Sequence, residues 1–284
     1  MSHQTSETIV AQTLKEEGIS RSSRSSGGYD PYFFDRLAQV EERHFWFCAR
    51  NRLILGLARR ISSTLKPCNR VLEIGCGTGN VLRALEVAFP NSSLVGLELC
   101  LEGLKHARTR SNAHLVQADI RNSPFSKQFD LVGMFDVLEH IAEDQGTLRL
   151  IHNTLRPGGK LLLTVPAHQS LWSYFDEAGH HCRRYSSQDI RQKLIDAGFQ
   201  VEFLSQFMAT IFPMVWIFRK MRMRGVREQS GFDSVRSRTQ DEFRIVPVVN
   251  LILTGLLTLE ARWVARGHHL PIGTSLVVVA RRPA

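Results

Sequence analysis

The stretch from Val71 to Asn80, which reads Val-Leu-Glu-Ile-Gly-Cys-Gly-Thr-Gly-Asn, constrains the fold more than any other part of the chain. An apolar run leads directly into glycines at positions 75, 77 and 79, and a segment with helical periodicity follows. This order predicts a strand, a tight turn and a helix. Because glycine tolerates positive φ and has no Cβ, the backbone of such a turn can approach a ligand closely. The first N–H groups of the helix point into the same space.

Several nucleotide-binding sites use a turn of this kind, and the residues after the glycines separate them. A phosphate-binding P-loop needs a Lys followed by Ser or Thr after its last glycine, and this pair is missing here. The dinucleotide fingerprint G-x-G-x-x-G needs glycine or alanine where this chain has Asn80. Neither motif therefore describes the turn. Two interpretations are left: a third kind of nucleotide-binding site, or a tight strand–helix corner that binds no ligand.

Strands and helices alternate at short intervals from Arg70 to Val165. This alternation predicts a parallel sheet with helices on both faces, and ligands bind such sheets at the carboxyl ends of the strands. Acidic residues stand at three of these ends, as Glu98, Asp119 and Asp136. One such acid is common because Asp and Glu cap helices, but three in step with a glycine turn predict a shared site. The predicted strands are Val71–Ile74, Leu94–Glu98, His114–Gln117, Phe129–Phe135 and Lys160–Val165.

These motifs resemble those of class I S-adenosylmethionine (AdoMet) methyltransferases, whose first motif is acidic-x-Gly-x-Gly-x-Gly. The resemblance is specific from Arg70 to Val165 and implies that AdoMet is the cofactor. It implies that Glu98 binds the ribose hydroxyls, that Asp119 accepts a hydrogen bond from the adenine amino group and that Asp136 flanks the methionine end. The implied cofactor-binding residues are Glu73, Gly75, Gly77, Gly79, Glu98, Leu99, Asp119, Ile120 and Asp136.

The resemblance also implies the architecture, a seven-stranded, mostly parallel α/β Rossmann-like sheet with helices on both faces. A sixth strand is predicted at Phe199–Phe207, and the last strand, Ser275–Ala280, runs antiparallel to its neighbours. The stretch between these two strands is too long for a hairpin and predicts a helical insertion. The predicted units are a disordered leader at 1–28, an N-terminal helical cover at 29–66, the AdoMet-binding core at 67–207, the insertion or lid at 208–270 and the last core strand at 271–284.

Two further stretches narrow the resemblance to a bacterial set of small-molecule methyltransferases, many of them linked to glycan or secondary-metabolite pathways. They are the tripeptide at 44–46 and the segment at 165–185, in which Cys182 stands where a basic residue is usual. The aromatic segment around 44–46 has an alternative interpretation, an amphipathic helix that only packs on the domain. The implied substrate-binding residues are His44, Trp46, Glu139, His180 and Arg184.

Methyl transfer from a sulfonium mainly needs alignment in a dry pocket, and a base helps if the acceptor is an alcohol or a phenol. Histidine is the natural base. The predicted catalytic residues are His140, ranked first for its place beside the cofactor, and then His181 and Tyr185, although each could be a packing residue. Asp136, Glu139 and His140 also resemble the group that binds a divalent ion in some quinone-pathway O-methyltransferases. Because the same residues can cap a helix, no metal is predicted.

The leading prediction is an AdoMet-dependent methyltransferase acting on a small molecule, with oxygen favoured over nitrogen or carbon as the methylated atom. An N- or C-methyltransferase, including one acting on a peptide natural product, is the alternative among enzymes. A non-catalytic AdoMet-binding partner subunit is the alternative outside them. Acidic residues at every expected cofactor position argue against the loss of catalysis.

Charge and cysteine content bear on partners and compartment. The formal net charge of +9 suggests nucleic acid or an anionic membrane surface, but no recognised nucleic-acid motif is present and no nucleic-acid partner is predicted. Five scattered cysteines without CxxC spacing predict neither a disulfide framework nor a zinc site. A cytoplasmic enzyme is the simplest interpretation.

The insertion contains two apolar stretches, Ile211–Phe218 and Ile245–Leu259, which are broken by prolines and by Asn250. Neither reaches the ~18 uninterrupted apolar residues expected of a spanning helix. They predict helices that pack on the sheet edge or form a homodimer contact. The alternative is an apolar lid for a greasy substrate or a peripheral membrane contact, in which anionic headgroups meet Arg219, Lys220, Arg222 and Arg224.

Overall fold

The computed structural model describes residues 32–65, 68–123, 125–223 and 245–284. The predicted leader at 1–28 and the middle of the insertion, including Arg224, lie outside the described residues. Seven strands form one sheet. In chain order they are β1 (Arg70–Ile74), β2 (Ser93–Glu98), β3 (His114–Gln117), β4 (Phe129–Phe135), β5 (Leu155–Pro166), β6 (Gln200–Phe207) and β7 (Ser275–Arg281).

The strands lie in the order β3-β2-β1-β4-β5-β7-β6. Strand β7 runs antiparallel to both of its neighbours, β5 and β6, and every other neighbouring pair is parallel. The predicted seven-stranded, mostly parallel Rossmann-like sheet is therefore confirmed. The central strands are apolar throughout because helices cover both faces of the sheet, and all seven residues of β4 are buried.

Helices fill the intervals between the strands and flank the sheet. Short 3₁₀ turns lie at Ile120–Asn122, Leu138–His140 and Gln169–Leu171. The α-helices are α1 (Tyr32–Val40), α2 (Phe45–Thr64), α3 (Asn80–Ala88), α4 (Leu101–Arg110), α5 (Asp144–Thr154), α6 (Tyr174–Ala178), α7 (Ser187–Asp196), α8 (Phe212–Met223) and α9 (Pro247–Ala265).

Two apolar clusters, one on each face of the sheet, form the core. Side chains alternate between them along each strand, so that Val71 belongs to the first cluster and Leu72 to the second. Helices α2, α3 and α9 supply the first cluster, for example through Leu53, Leu85 and Leu257. Helices α5 and α7 supply the second. The carboxyl ends of the parallel strands are left between these layers, open to a ligand.

Strand β5 begins earlier than the sequence indicates. Lys160 is the first residue of the predicted strand, but in the structure Leu155 already pairs with Phe129, and regular pairing resumes between Lys160 and Leu131. The residues between them form an irregularity around Gly158, whose φ is +79°. A proline and two glycines within the strand explain the difference, because such residues indicate a turn when only the sequence is read.

Helix α9 is longer than the predicted apolar stretch and passes through Asn250 without a break. Pro247 stands in its first turn, where a missing N–H costs nothing. The Asn250 side chain accepts a hydrogen bond from the N–H of Phe45 at 2.8 Å and donates one to the carbonyl of Arg43 at 2.9 Å. The resulting 19-residue helix meets the length and hydropathy expected of a membrane-spanning helix, and it is the one helix in the described part of the chain to do so.

Asp130, which is fully buried at the start of β4, fixes the position of the strand that leads into the glycine turn. Its carboxylate accepts hydrogen bonds from the N–H groups of Asn69 at 2.7 Å and Arg70 at 2.9 Å, and it is ion-paired with Arg156. Without this carboxylate two backbone donors at the start of β1 would be buried unpaired, which is costly.

We expect Asp130→Ala to lower the free energy of unfolding by about 3 kcal/mol, because the backbone N–H groups of Asn69 and Arg70 and the Arg156 guanidinium lose their acceptor. Urea unfolding followed by circular dichroism measures the change. The matched variant Asp130→Asn keeps one acceptor oxygen and should cost about 1 kcal/mol. Equal losses for both variants would contradict this account.

Candidate functional site

A cavity of about 1660 Å³ opens at the carboxyl ends of β1 to β5. It is larger than the roughly 300–1,000 Å³ of a site for one small ligand, so it has room for a cofactor and an acceptor together. Residues of α1 and α2 close one side, and the first residues of α8 close another. The cavity therefore lies where the sequence predicts ligand binding, beside the glycine turn.

Three glycines with positive φ carry the turn between β1 and α3: Gly75 at +71°, Gly77 at +51° and Gly79 at +80°. A Cβ on Gly75 would lie 2.4 Å from a methyl of Val137, and one on Gly79 would lie 2.8 Å from the Cα of Ala107. A Cβ on Gly77 would meet only the Phe34 ring at 3.7 Å. Gly75 and Gly77 both line the cavity, but only at Gly77 does the backbone lie open, because Gly75 and Gly79 are packed too closely to accept a Cβ.

Glu98 holds the glycine turn in place. One carboxylate oxygen accepts from the N–H of Gly77 at 3.0 Å, and the other accepts from the N–H of Cys100 at 2.9 Å. Burial raises the pKa of Glu98, and the backbone hydrogen bonds from Cys100 and Gly77 oppose that shift. The carboxylate remains part of the cavity wall, as its predicted contact with ribose hydroxyls requires.

Asp119, just after β3, forms hydrogen bonds with Arg121, two residues further along the chain. The Arg121 side chain contacts both carboxylate oxygens, with Nε at 2.9 Å from Oδ2, and the Arg121 N–H donates to Oδ1 at 2.8 Å. The hydrogen bond from the Arg121 side chain is the main cause of the lowered pKa of Asp119. Both residues and Ile120 line the cavity. An adenine amino group would therefore share Asp119 with Arg121.

A buried charged group lies below the turn. Glu73 is 2% exposed, and its Oε2 has no hydrogen-bond partner among the described residues. Burial raises the pKa of Glu73 well above its usual range, and the nearby Arg50 opposes this. Arg50 in turn forms an ion pair with Asp136 at 2.7 Å, and its guanidinium lies 4.9 Å from the centre of the Trp46 ring. Glu73, Arg50 and Asp136 all line the cavity.

Histidines form the opposite wall. The His140 and His181 rings meet edge to face with their centres 4.6 Å apart. Burial, with the His181 ring as the second cause, lowers the pKa of His140 to about 3. His140 is consequently neutral at physiological pH and a weak base. The structure does not favour the sequence ranking that places His140 first as the base.

Asp176 is completely buried and is the centre of a polar network behind His181. Its carboxylate contacts Nδ1 of His181 at 3.0 Å and accepts from Nε of Arg184 at 2.7 Å and from the N–H of Ser173 at 2.8 Å. Arg219 of α8 lies 3.6 Å away. Although burial opposes it, the hydrogen bond with His181 and the charge of Arg184 lower the pKa of Asp176 to about 2. Asp176 is therefore a carboxylate that orients the His181 ring.

The ligand atoms of Glu139, His140 and His181 lie within 4.8 Å of one another. Glu139 is 1% exposed, and its Oε2 has no hydrogen-bond partner among the described residues. Burial, with the nearby Asp136 as the second cause, raises its pKa well above the usual range. Such a trio has the composition of a divalent-cation site, whereas the sequence interpretation expects no metal, and that expectation stays a prediction.

Two of the five non-glycine residues with positive φ in the described part of the chain belong to the cavity. Asp136 and His180 both have a φ of +54°, a region that residues with side chains rarely adopt. Both line the cavity. Strained positions of this kind persist where the surrounding structure over-determines them, and they cluster at functional sites.

The cavity brings together fifteen of the seventeen predicted site residues, and two lie outside its lining. Gly79 packs on Ala107 behind the turn. Tyr185 is fully buried beneath the site, where its hydroxyl donates to Asp144 at 3.1 Å and burial raises its pKa strongly. The geometry argues against a chemical role for Tyr185. The lining residues are His44, Trp46, Glu73, Gly75, Gly77, Glu98, Leu99, Asp119, Ile120, Asp136, Glu139, His140, His180, His181 and Arg184.

The sequence alone does not predict a function for three residues at the site: Glu41, Arg50 and Asp176. Glu41 is buried, accepts from the hydroxyl of Thr78 in the glycine turn and forms an ion pair with Arg110 of α4, so it ties α1 over the turn. The contacts of Glu41 and Arg50 join residues far apart in the chain, whereas Asp176 contacts residues three to eight positions away and, through Arg219, one in α8. Arg50 among aromatic residues at helical spacing is the one signal in the sequence that could have indicated a pocket wall.

Comparison with known proteins identifies relatives over most of the chain. A family model described as a methyltransferase domain matches residues 44–203. A malonyl-[acyl-carrier protein] O-methyltransferase of Enterobacter lignolyticus (strain SCF1) is 33% identical over 211 residues, which is 66% of this chain and 82% of the relative.

Solved structures share the fold at low identity. The methyltransferase in a complex with the Trm112 methyltransferase activator of Haloferax volcanii superimposes with a TM-score of 0.56 at 18% identity, over 93% of this chain and all of that one. Phosphoethanolamine N-methyltransferase 2 of Haemonchus contortus, solved with S-adenosyl-L-methionine, gives a TM-score of 0.51 at 17% identity, over 94% of this chain and 62% of that one.

The Asp176 network predicts a pH dependence of stability. Its folded pKa of about 2 lies below the unfolded value of about 3.9, so the stabilisation is fully present above pH ~4 and is lost as the pH falls towards 2. The shift corresponds to about 2–3 kcal/mol. In urea unfolding, Asp176→Asn should be less stable than the parent at pH 7, and the difference should narrow below pH ~4. The exposed control Asp189→Asn should follow the parent at every pH, and a pH-independent difference for Asp176→Asn would refute the assignment.

Proposed function

Because the chain belongs to the class I AdoMet-dependent methyltransferases, we propose that it methylates an oxygen atom of a small molecule bound beside AdoMet in the described cavity. One observation carries the choice of oxygen: His181, held by the carboxylate of Asp176 at 3.0 Å, opens into the same cavity as the glycine turn. An alcohol or phenol acceptor needs a base of this kind, whereas an amine that is already neutral does not. The relative in Enterobacter lignolyticus is also an O-methyltransferase.

The residues present fit AdoMet. The bare backbone at Gly77 leaves room for close approach, and Glu98 offers a carboxylate for ribose hydroxyls. The unpartnered Oε2 of Glu73 suits the ammonium group at the amino-acid end. We propose that these three residues, with Asp119 and the other predicted cofactor residues, hold the molecule.

AdoMet supplies an activated methyl group on a positively charged sulfur. The chain contributes positioning, which can be worth ~7–11 kcal/mol, and a cavity covered by α1 and α2 that limits the access of water. Asp176 fixes the proton-bearing nitrogen of His181 at Nδ1, which leaves Nε2 to accept the proton of the acceptor hydroxyl. A histidine base oriented by a carboxylate, as His181 is by Asp176, is a common arrangement in sites that activate a nucleophile.

The remaining predicted residues take supporting roles in this proposal. His140, neutral at physiological pH, packs against His181 and limits its rotation. Arg184 donates to Asp176 and to the carbonyl of Ala167, so it positions the carboxylate and has little left for a substrate. His44, Trp46, Glu139 and His180 line the space left for the acceptor.

Removing the Glu98 carboxylate should weaken AdoMet binding. Glu98→Ala loses the acceptor for ribose hydroxyls and the bond to Gly77, and we expect the Kd from calorimetry to rise about 10–100-fold, or about 1–3 kcal/mol. Glu98→Gln keeps an acceptor oxygen and should lose less. Binding of AdoMet by Glu98→Ala as tight as that of the parent would show that the ribose lies elsewhere.

His181→Asn should lower kcat about 100-fold or more while the Kd for AdoMet changes less than about twofold, because the variant lacks a base but keeps the glycine turn. Release of S-adenosylhomocysteine across a panel of hydroxylated acceptors measures the rate. His114→Asn, an exposed histidine on β3 away from the cavity, is the matched control and should match the parent. An unchanged kcat in His181→Asn would contradict its role as the base.

A further inference from the structure

Helices α8 and α9 leave an unusually apolar surface exposed. Eleven large apolar side chains on these helices are between 42% and 73% exposed, and we call them the apolar face. Val248, Ile252, Leu256, Leu259 and Trp263 recur every three or four residues along α9 and so lie on one side of it, and soluble monomers rarely expose large apolar patches. The apolar face comprises Met214, Trp216, Ile217 and Phe218 of α8 and Val248, Val249, Leu251, Ile252, Leu256, Leu259 and Trp263 of α9.

The opposite side of α9 is bound firmly to the domain. Leu257, Ala261 and Val264 are buried in the first core cluster. Arg52 of α2 donates to the hydroxyl of Thr258 at 2.6 Å. The carboxylate of Glu260 accepts from the N–H groups of Ala209 and Thr210 at 3.0 Å, just before α8. Leaving the domain to cross a bilayer would break these contacts, so α9 suits a position in the plane of a membrane surface.

The charges around the apolar face suit an anionic surface. The exposed side of α9 carries no acidic residue, because Glu260 is turned towards the domain, and it ends in the exposed Arg262 and Arg266. On α8 the ammonium of Lys220 lies 4.6 Å from the centre of the Trp216 ring. In the described parts of the insertion, 208–223 and 245–270, five Arg and Lys residues stand against one acidic residue, Glu260. Aromatic rings flanked by basic side chains are typical of the interface between headgroups and acyl chains.

The apolar face continues to the rim of the cavity. Met214 and Phe218 belong to the face and also line the cavity. At the other side, Asn250 of α9 is bonded to the N–H of Phe45, which lines the cavity as well. The apolar face and the cavity therefore meet at Met214 and Phe218.

We propose that the apolar face docks onto an anionic lipid bilayer with α9 in the membrane plane, and that the acceptor is a membrane amphiphile whose polar, hydroxyl-bearing head enters the cavity. The part concerning the acceptor rests on the proposed function, and the docking does not. A second copy of the chain suits this face less well, because Lys220, Arg262 and Arg266 would be brought towards their own like charges.

Flotation with vesicles tests the docking. The purified chain should float with phosphatidylcholine vesicles that contain phosphatidylglycerol, and at least about tenfold less with phosphatidylcholine alone. Leu251→Glu with Leu259→Glu should abolish flotation. Val87→Glu, a change at a 58% exposed residue of α3 outside the face, should float like the parent. No flotation of the parent at low salt, or equal flotation of the double variant, would overturn the docking.

Three further measurements separate the competing outcomes. Calorimetry with AdoMet must give the same Kd for the double variant and the parent, which shows that the variant is folded and keeps a test of the cofactor site apart from a test of docking. If the parent is a dimer by light scattering and the double variant a monomer, with no flotation of either, the face belongs to a second copy.

A transfer assay with AdoMet tritiated on its methyl group and a bacterial lipid extract tests the acceptor. Label in the chloroform phase supports the acceptor class, and label only in a water-soluble product overturns it.

Discussion

The turn after β1 exists because three of its residues lack side chains, and the rest of the site depends on that absence. Val137 presses on the turn from the end of β4, and Ala107 presses on it from α4, each closer than any Cβ would allow. The third glycine leaves its backbone bare towards the cavity. Because Gly75 and Gly79 are closely packed, the turn is held where the N–H of Gly77 donates to Glu98. Because Gly77 has no side chain, the cavity wall at this point is formed by backbone atoms.

The sequence predicts the sheet well because its signals are local. Apolar runs, glycines and the acids that end β2, β3 and β4 each stand within a few residues of one another, and the right-handed crossover rule then determines most of the topology. The carboxyl ends of parallel strands converge by geometry, so acids placed there in the sequence meet at one cavity. The limits of β5 and α9 are less predictable. In both cases a proline or an asparagine indicates an end, but long-range pairing carries the element through it.

The wall that holds His140 and His181 is harder to predict from the sequence than the wall around the glycine turn, for a physical reason. Whether His181 or Tyr185 faces the cavity depends on which way each side chain points after β5, and neighbouring positions face opposite environments. Tyr185 pairs with Ala167 in an isolated bridge, which directs its ring into the core, whereas His181 is turned towards the cavity by Asp176. Likewise, nothing local indicates that burial would weaken His140 as a base. Polar networks that join residues several elements apart have no periodicity from which they could be inferred.

Two hydrogen bonds from one side chain join the exposed helix α9 to the wall of the cavity. Because the Asn250 side chain bridges the N–H of Phe45 and the carbonyl of Arg43, the beginning of α2 is anchored to the first turn of α9. Because Phe45 lines the cavity, these hydrogen bonds connect the cavity wall directly to the exposed helix α9. A single side chain therefore separates the outer helix from the ligand space.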